Sequence, residues 1–594
     1  MAKQLRKKIR IGIIFLFALS GAQWGCTDLE EIVLDESFRG AGQAEAISGA
    51  LAPAYGYMRT GVWRHTAYFG LQEVTSDEAI LPARGGTDWF DGGKFIALHT
   101  HQMTPGNGMV RDSWNGVTTN LSRALSAIEV LQPLSDAGDS EAEGALYEML
   151  AMRAYLNMLM MDSWGLAFQK ESSTETSTIL RGQGAIDYIQ SELESVVNVI
   201  NTSRGPGRFT QGAVWGLLAR LHLNAAVYRD PYGTPDFRPE DMSKAIEYCD
   251  LITNSGNYQL SPEYFDLFND DNNGNPELIF ALDQRGQLSN EQGRWAYWSV
   301  HSDMLARPEW IADGNPDGTS GPAMTTDFYQ TWIDAYGSVD PADGDARFYK
   351  ENIIIPPEVA DLTGLSPSND ESNFFCVPAL DFQMNRGILR GVQWGPREGP
   401  DGNFVACDDG SARIYPVRDG KTSSIQEGEE EVYVTHVLNI DFTTEGSFHN
   451  TGYRYAKYQF SKTSSNGTAR SSVDLVLLRL GEVYLNRAEA KMRMGDVAGA
   501  LADINTLRTS RNARPDQTPA ALASIDLERL YDERGFELYW EGQRRNDQIR
   551  FNKFEDTWTE KTSTNPEKRL FPIPQSAIDG ASNLEGFLLQ NRGY

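Results

Sequence analysis

Three glutamates near the carboxyl end stand four residues apart, a spacing that places them on one face of a helix. They are Glu533, Glu537 and Glu541. Paired carboxylates held about 5 Å or about 6.5–9.5 Å apart hydrolyse glycosidic bonds, so this face raises the question of catalysis. Arginines also lie within reach in the sequence, at Arg534, Arg544, Arg545 and Arg550. Structural ion pairing is therefore the simpler interpretation, and the sequence does not predict an enzyme.

Two aromatic-rich segments in polar or glycine-containing sequence are better candidates for ligand binding. Sugar rings present apolar C–H faces that dock on tryptophan and tyrosine, while carboxylate, amide and guanidinium groups bond the hydroxyls. The segments are SDEAILPARGGTDWFDGG (76–93) and RWAYWSVHSDMLARPEW (294–310). The predicted ligand-binding residues are Asp77, Arg84, Trp89, Asp91, Trp295, Tyr297, Trp298 and Trp310. For each of them the alternative is a loop that its aromatic side chains pack against the protein.

No metal or cofactor site is predicted. His99 and His101 are two residues apart, which suits one side of a strand, but no third ligand follows at zinc-like spacing. The run NDDNNGNPE (269–277) resembles a calcium loop with Gly274 at the sixth place. Phe280, however, stands at the twelfth place, where a bidentate glutamate is required. A turn capped by Asx side chains is the better interpretation of this run.

The elements that would position these residues are helical hairpins. Residues 474–511 place apolar side chains mostly three or four apart, as on one helical face, until Gly495 and Asp496 end the first helix. A second amphipathic run follows, which predicts a tetratricopeptide-like hairpin. Similar pairs are predicted for residues 145–162 with 185–200, 212–228 with 242–254, and 44–59 with 113–131.

The middle of the chain has a different pattern. Between residues 284 and 467 the helical periodicity weakens while Gly, Pro, Asp and Asn become frequent, which indicates loops and short strands. Functional contacts concentrate in such loops when a rigid scaffold positions them. The 594 residues would suit about four domains, or one extended helical body with large insertions.

Charge and cysteine content narrow the function classes. The chain has 53 Lys and Arg against 82 Asp and Glu, a net charge of −29 that repels phosphate backbones and acidic lipid head groups. Nucleic-acid binding is therefore not expected. Three cysteines follow the amino-terminal region, at Cys249, Cys376 and Cys407. A bridge between the last two and unpaired buried thiols both remain open.

The amino terminus has the order of a secretory signal. Five cations precede an apolar run at residues 9–19, which is shorter than the roughly 20 residues that a spanning helix needs. Small residues and then Gly25 and Cys26 follow, an arrangement that resembles a bacterial lipoprotein signal. Lipidation of the Cys26 thiol would anchor the mature protein to a membrane. Ordinary cleavage near Ala22 or Gly25 is the alternative.

Residues 533–550, ERGFELYWEGQRRNDQIR, closely resemble the SusD/RagB family of Bacteroidetes surface lipoproteins. The resemblance extends to PELIFAL (276–282), VLLRLGEVYLNRAEA (476–490) and the ending LFPIPQSAIDGASNLEGFLLQNRGY (570–594), and so covers essentially the whole mature chain. It implies a mainly α-helical fold: a SusD-like scaffold of tetratricopeptide-like helix pairs, with a loop-rich insertion that carries short strands. Asp77, Arg84 and Trp89 match the family's early polar and aromatic pattern.

The resemblance also implies a function. Such a protein is a non-catalytic, cell-surface lipoprotein of the outer membrane that needs no cofactor. It captures oligosaccharide and delivers it to a SusC-like TonB-dependent transporter. A peptide-binding, RagB-type uptake lipoprotein is the alternative, and a helical glycoside hydrolase is a third hypothesis. The expected regions are a signal at 1–25, a tether at 26–41, a helical scaffold with a binding loop at 42–284, a loop-rich ligand-binding insertion at 285–470, and a hairpin and motif region at 471–594.

Overall fold

Helices make up most of the regular structure of this protein, as seen in a computed structural model. The structure describes residues 42–84, 89–203, 205–284, 293–304, 318–367, 371–378, 382–397, 404–419, 432–442, 447, 449, 451–461 and 471–594. Its α-helices are α1 Gln43–Tyr57, α2 Tyr68–Glu73, α3 Lys94–His99, α4 Gly108–Asp136, α5 Ser140–Trp164, α6 Gly182–Val196, α7 Gln211–Arg229, α8 Pro239–Asn254, α9 Thr326–Tyr336, α10 Pro341–Gly344, α11 Pro357–Ala360, α12 Leu480–Arg493, α13 Val497–Ser510, α14 Leu527–Leu538, α15 Arg544–Arg550 and α16 Gln575–Gly580. The expectation of a mainly α-helical fold is confirmed.

The strands are short and pair in small antiparallel sheets of two or three. They are β1 Ala79–Ile80, β2 Ala167–Gln169, β3 Thr178–Leu180, β4 Leu278–Leu282, β5 Ala323–Met324, β6 Tyr349–Lys350, β7 Phe375–Val377, β8 Arg386–Leu389, β9 Gly391–Val392, β10 Trp394–Pro396, β11 Ala412–Pro416, β12 Thr435–His436, β13 Arg454–Ala456 and β14 Leu475–Arg479. Most of them lie in the middle of the chain, where the sequence predicts loops and short strands.

The chain divides into two units, Met1–Ala50 and Leu51–Tyr594. Residues 42–50 are the described part of the first unit, and they include the beginning of α1. The predicted signal at 1–25 and the tether at 26–41, with the lipidation site Cys26, lie outside the described residues. Among the described helices, none has the length and apolar character that crossing a bilayer requires.

Short polar side chains cap the first turns of the helices in the first hairpin. Asn107 begins α4 by accepting hydrogen bonds from the Met109 and Val110 N–H groups, and Asp139 begins α5 in the same way. Such caps satisfy N–H groups that have no partner within the helix, and each stabilises it by about 1 kcal/mol. Between the two helices Gly138 has a φ of 91°, a conformation that favours glycine. The hairpin therefore turns sharply, and α4 packs along α5.

The scaffold continues as a series of packed neighbours. Helix α5 contacts α6, α6 contacts α7, and α7 packs closely on α8. Helix α8 then contacts α12, so the carboxyl-terminal hairpin of α12 and α13 joins the earlier pairs although more than 200 residues separate them in sequence. Apolar side chains from both helices fill this hairpin, including Leu485, Ala488, Ile504 and Leu507. Gly495 and Asp496 form its turn, as predicted.

One stretch of the predicted hairpin is a strand. The helical pattern read from residue 474 onward includes Leu477, but residues 475–479 form β14, which pairs with β4. All five residues of each strand are buried. A short run of consecutive apolar residues does not distinguish a buried strand from a helix, because both of its faces contact protein. Helix α12 begins directly after the strand, at Leu480.

The middle of the chain also contains a helix that the sequence analysis does not anticipate. Helix α9 begins after Thr325, whose hydroxyl accepts a hydrogen bond from the Phe328 N–H. Phe328 and Trp332 stand four residues apart on its buried face. Trp332 packs on Phe536 with ring centres 4.0 Å apart. Aromatic residues lower the helix propensity of this segment, and tertiary packing overrides that preference.

A disulfide stabilises a small sheet within the insertion. Cys376 on β7 is bonded to Cys407, which lies 31 positions later in the sequence. Strands β10, β11 and β7 form the sheet, over a small apolar core that includes Trp394 and Ile414. Cys249 is a buried free thiol on α8. The structure therefore resolves the two alternatives that the sequence left open, in favour of the bridge.

Removing this disulfide is expected to loosen the sheet. Closing a loop of this length stabilises the folded state by about 2–4 kcal/mol, chiefly by restricting the unfolded chain. Replacing Cys376 and Cys407 by serine should therefore raise the rate of limited proteolysis within residues 371–419 by roughly 30-fold or more. This holds when the segment opens and closes faster than the protease cuts, so that the rate is proportional to the fraction of molecules that are open. Cys249→Ser is the control, and it should leave that rate unchanged. Equal cleavage of the bridged and unbridged proteins would contradict the assignment.

Candidate functional site

The carboxyl-terminal glutamates lie in a buried network of ion pairs. Glu533 and Glu537 lie on α14, and Glu541 follows shortly after its end. Glu537 is fully buried and accepts hydrogen bonds from three guanidinium groups. The distances are 2.7 Å from Arg479, 2.5 Å from Arg511 and 3.3 Å from Arg347. Arg479 also contacts Glu277 and Glu541, so the network joins β14, α13 and α14.

The charge state of Glu537 does not suit acid catalysis. Burial alone would raise the pKa of its carboxyl group, but Arg511, Arg479 and Arg347 outweigh burial and hold the pKa well below the usual range. A general acid in glycoside hydrolysis needs the opposite shift. Every oxygen of this carboxylate is also already engaged by a guanidinium group. The network therefore has the character of a structural core rather than of a catalytic pair.

Two of the predicted ligand-binding residues are tied to the protein itself. Asp77 accepts two hydrogen bonds from Arg544, at 2.7 and 2.8 Å, and one from the Tyr531 hydroxyl at 3.2 Å. Arg84 is fully buried and donates to the Gly321 and Thr451 carbonyls, both at 2.9 Å. Asp77 thus connects the early segment to the motif region, and Arg84 connects it to the insertion.

Three more of them are buried aromatic residues, and two of these, Trp295 and Trp298, share one aromatic cluster. Trp295 stacks on Phe69 with ring centres 3.9 Å apart, and its Nε1 donates to the Trp63 carbonyl. Trp298 packs against Phe69 and Trp540, and both Trp295 and Trp298 are at most 1% exposed. Tyr297 is also buried, with its ring centre 5.4 Å from that of Phe460. In this conformation these rings pack against protein.

Trp89 lies at the rim of this cluster. Its ring is half-buried, with edge-on contacts to Trp298 at 6.3 Å and to Phe95 at 5.8 Å. Its Nε1 donates a hydrogen bond to the Thr319 carbonyl at 2.8 Å. The ring is therefore held in place on its buried side, while the remainder of it is accessible to solvent.

Two charged residues, Asp91 and Lys94, follow Trp89 within five positions of the chain. Asp91 is exposed, and one of its carboxylate oxygens lies 3.2 Å from the Lys94 Nζ. Both side chains reach solvent, so their pairing is weak and a ligand can compete for either group. Trp310, the last predicted residue, lies outside the described residues. The structure thus brings Trp89, Trp295 and Trp298 together, and of these Trp89 alone is accessible, with Asp91 and Lys94 beside it.

The backbone at this rim is strained. Trp89 has a φ of 54° and Asp91 a φ of 44°, values in the left-handed region that side chains disfavour. Gly92 and Gly93 follow in the same region, where glycine is tolerated. Residues other than glycine in this region cost about 1–3 kcal/mol each, and they concentrate at binding and catalytic sites. The strain thus singles out the same loop as the accessible ring does.

Comparison with known proteins agrees with this architecture. The model of the SusD family matches residues 252–594, which is more than half of the chain. The chain belongs to the SusD family. It is 28% identical to the starch-binding protein SusD of Bacteroides thetaiotaomicron over 480 residues, which covers 77% of this chain and 74% of that protein. A SusD-like protein of Formosa agariphila is 34% identical over 521 residues, 82% of this chain and 80% of that one.

Solved structures share the SusD-family fold. A laminarin-binding SusD-like protein matches with a TM-score of 0.61 at 16% identity, over 93% of this chain and all of that one. The surface glycan-binding protein A of Bacteroides thetaiotaomicron, in complex with laminarihexaose, matches with a TM-score of 0.60 at 17% identity. That match covers 92% of this chain and 99% of that one. At these identities the likeness extends to the fold, and the binding residues have to be argued from this chain.

A buried pair of acids in this SusD-family chain was not anticipated from the sequence. Glu73 accepts a hydrogen bond from the Gly542 N–H, and Glu78 accepts one from the Trp540 N–H, so both contact the motif region. Each is 1% exposed. Burial raises the pKa of Glu73 to about 7, and burial with the neighbouring Glu73 raises the pKa of Glu78 well above its usual range. Four residues separate the two acids, most of them polar, and nothing in that sequence marks the acids as buried.

This pair predicts a pH-dependent difference in stability. A carboxyl group whose pKa is raised from 4.5 to about 7 by folding stabilises the folded state below 4.5 and loses that contribution as the pH rises to about 7. Glu73→Gln mimics the protonated form. The unfolding free energy, measured with urea, should therefore be compared between this variant and the wild type. The variant's value minus that of the wild type should increase between pH 4.5 and pH 8, by on the order of 2–3 kcal/mol. A difference that does not change with pH would show that Glu73 titrates normally.

The histidines and the loop that the sequence analysis considered as metal ligands make contacts within the protein. His99 lies 2.6 Å from the Thr559 carbonyl through Nε2, and His101 lies 2.9 Å from the Thr75 carbonyl and stacks on Phe554. In the loop at 269–277, Asn272 donates to the Asp474 carbonyl at 3.0 Å and accepts from its N–H at 2.7 Å. An amide that bonds the backbone in both directions fits a capped turn.

Proposed function

We propose that this protein is a cell-surface glycan-binding lipoprotein that captures oligosaccharide. It neither makes nor breaks a covalent bond in its ligand. Family membership supports the class, since one relative is named for binding starch and two structural neighbours for binding laminarin or laminarihexaose. The single observation that carries the proposal to this chain is the accessible ring of Trp89, fixed against a buried aromatic cluster and flanked by Asp91 and Lys94.

The geometry indicates how capture would proceed. An apolar face of a pyranose ring would stack on the accessible part of Trp89, because a flat aromatic ring offers contact area at a small entropic cost. Asp91 would accept hydrogen bonds from sugar hydroxyls, and the Lys94 ammonium group would donate to them. Trp298 and the Thr319 carbonyl hold the Trp89 ring in advance, so little ordering remains to be done on binding.

Delivery completes the proposed function. After capture the oligosaccharide would pass to a SusC-like TonB-dependent transporter in the outer membrane, over which the protein would sit. An acylated Cys26 would hold it there, since several buried acyl chains anchor a protein stably despite its negative charge. The net charge of −29 also favours a neutral glycan over an anionic one.

Binding assays separate this proposal from its alternatives. The protein from residue 27 onward would be tested against arrayed glycans and, in parallel, against immobilised peptides. Retention by a neutral glycan supports the proposal. Retention by peptides alone would favour a RagB-type peptide-uptake protein instead.

A hydrolase test completes the set. The same protein would be incubated with polysaccharides and assayed for new reducing ends. We expect none, because Glu537 is an ionised, arginine-paired carboxylate. Release of sugar by the purified protein would overturn the non-catalytic assignment.

A further inference from the structure

Three of the seven histidines of the chain gather in the loop-rich insertion. The ring centres of His436 and His449 lie 6.3 and 6.4 Å from that of His301. All three side chains are at most 2% exposed. Two aspartates stand beside them: Asp419 is buried, and Asp303 is 28% exposed. Imidazole and carboxylate together are the ligands that zinc and similar ions take in proteins.

His301 lies between the two aspartates. Its Nε2 lies 3.7 Å from Asp419 Oδ1, and its Nδ1 lies 3.7 Å from Asp303 Oδ2. Both separations exceed hydrogen-bond distance. Among the described residues, His301 Nε2 has no hydrogen-bond partner although the side chain is fully buried. A buried polar nitrogen without a partner costs about 1–3 kcal/mol, so this position calls for a ligand.

We propose that His301 and Asp419, with His436 and His449, form a binding site for one divalent transition-metal ion, and that zinc is the ion these ligands suit best. One ligand atom each from His301, Asp303 and Asp419 lies within 4.8 Å of the others. Zinc binds nitrogen and carboxylate oxygen at about 2.0–2.2 Å, which places two tetrahedral ligands on the order of 3.4 Å apart. The 3.7 Å between Nε2 and Asp419 Oδ1 therefore needs a closure of only a few tenths of an ångström. The His436 and His449 rings, whose centres lie 6.3 and 6.4 Å from that of His301, have to move closer to complete the site.

Asp303 supplies the outer contact that a metal-bound histidine needs. The Asp303 N–H now donates to His301 Nδ1 at 3.1 Å, which assigns the proton of the neutral ring to Nε2. A metal ion at Nε2 replaces that proton, which moves to Nδ1, so the hydrogen bond from the Asp303 N–H to Nδ1 is given up. The Asp303 carboxylate, 3.7 Å from Nδ1, then accepts a hydrogen bond from it. A carboxylate behind the ligating ring is the usual arrangement at zinc sites, because it fixes the ring and raises its basicity.

Charges of both signs lie around the cluster. The guanidinium groups of Arg454 and Arg84 act on His301 and oppose a cation there. The carboxylates of Asp419 and Asp303 offset their charge.

Sequence spacing concealed this cluster. Its members come from four separate parts of the chain: the segment after Trp298, the residues after β11, β12 itself, and the residues before β13. Known zinc patterns place at least two ligands within a few residues. The pair at 301 and 303 lies inside a segment whose most prominent feature is its aromatic residues. An ion here would join these segments and stiffen the insertion. The site does not depend on glycan binding.

Metal content tests the proposal. The full chain would be treated with chelator, incubated with zinc chloride, passed through gel filtration and analysed for bound metal. We expect one tightly held zinc ion per chain and a rise in the thermal unfolding midpoint. His301→Gln and Asp419→Asn should each weaken zinc binding at least tenfold and remove that rise. His222→Gln is the matched control, since His222 is buried beside Asp241 in the helical scaffold, and it should keep the zinc.

A measurement on the unmodified protein guards against variants that do not fold. Cobalt replaces zinc in such sites, and four-coordinate cobalt bound by imidazole absorbs visible light strongly. The wild-type protein should develop this absorption with one equivalent of cobalt, and zinc should remove it. The proposal is overturned if the wild type holds no stoichiometric zinc and shows no such absorption. It is equally overturned if folded His301→Gln and Asp419→Asn bind zinc as the wild type does, because surface carboxylates would then be the ligands.

Discussion

Replacing Glu537 by glutamine is expected to destabilise the folded protein by about 3–5 kcal/mol. The substitution keeps the size of the side chain and removes its charge. Arg479, Arg511 and Arg347 would then retain buried positive charges with fewer anions to balance them. Each guanidinium group lost its hydration on folding, and an unpaired buried charge costs several kcal/mol. Urea unfolding followed by circular dichroism measures the loss.

A surface ion pair provides the control for this prediction. Glu247 lies 2.9 Å from Lys244 on α8, and both side chains are about half exposed. Glu247→Gln should change the unfolding free energy by less than about 1 kcal/mol, because solvent already screens this pair. A loss of similar size in both variants would mean that the Glu537 network contributes no more than a surface contact.

The Glu537 effect also has a defined pH dependence. The three arginines hold the pKa of Glu537 well below its ordinary value of 4.5, so its ionised form stabilises the folded state above pH 4.5. This contribution disappears as the pH falls below that value toward the pKa of the folded state. The difference between wild type and Glu537→Gln should therefore be full at pH 7 and shrink in strong acid. A constant difference across this range would contradict the assigned charge.

The sequence predicted the helical scaffold well because its signal is local. The hairpin at Gly495 and Asp496 and the pairing of residues 212–228 with 242–254 follow from apolar periodicity and a turn residue. Both reappear as α12 with α13 and as α7 with α8. The strand at 475–479 was missed because its pairing partner, β4, lies almost 200 residues earlier. Periodicity within one segment carries no information about such a partner.

The candidate site was harder to predict because burial depends on the whole fold. Trp89 and Trp298 both occur in polar, aromatic sequence, yet one lies at the rim and the other in the core. Asp77 is polar and early in the chain, but Arg544, more than 450 residues later, binds it. Family resemblance predicted the region, and only three-dimensional packing distinguishes the accessible ring from its supports.

Replacing Trp89 by alanine is expected to weaken glycan binding at least tenfold while changing stability little. An aromatic anchor at the centre of a site contributes about 2 kcal/mol or more, and 1.4 kcal/mol is a factor of ten in affinity. Because the ring lies at the rim of the aromatic cluster and is partly exposed, its removal leaves a space open to solvent rather than a large closed cavity. Affinity electrophoresis in gels that contain the glycan, together with thermal unfolding, measures both quantities.

Trp298→Ala is the matched comparison, and it should show the reverse balance. Its ring is fully buried against Phe69, Trp540 and His65, so its loss leaves a cavity and costs about 3–5 kcal/mol of stability. Any loss of binding would then follow from displacement of Trp89, which rests on Trp298. If Trp89→Ala binds glycan as the wild type does, the site lies elsewhere. If instead Trp89→Ala unfolds like Trp298→Ala, Trp89 is a packing residue, and its partial exposure has no role in binding.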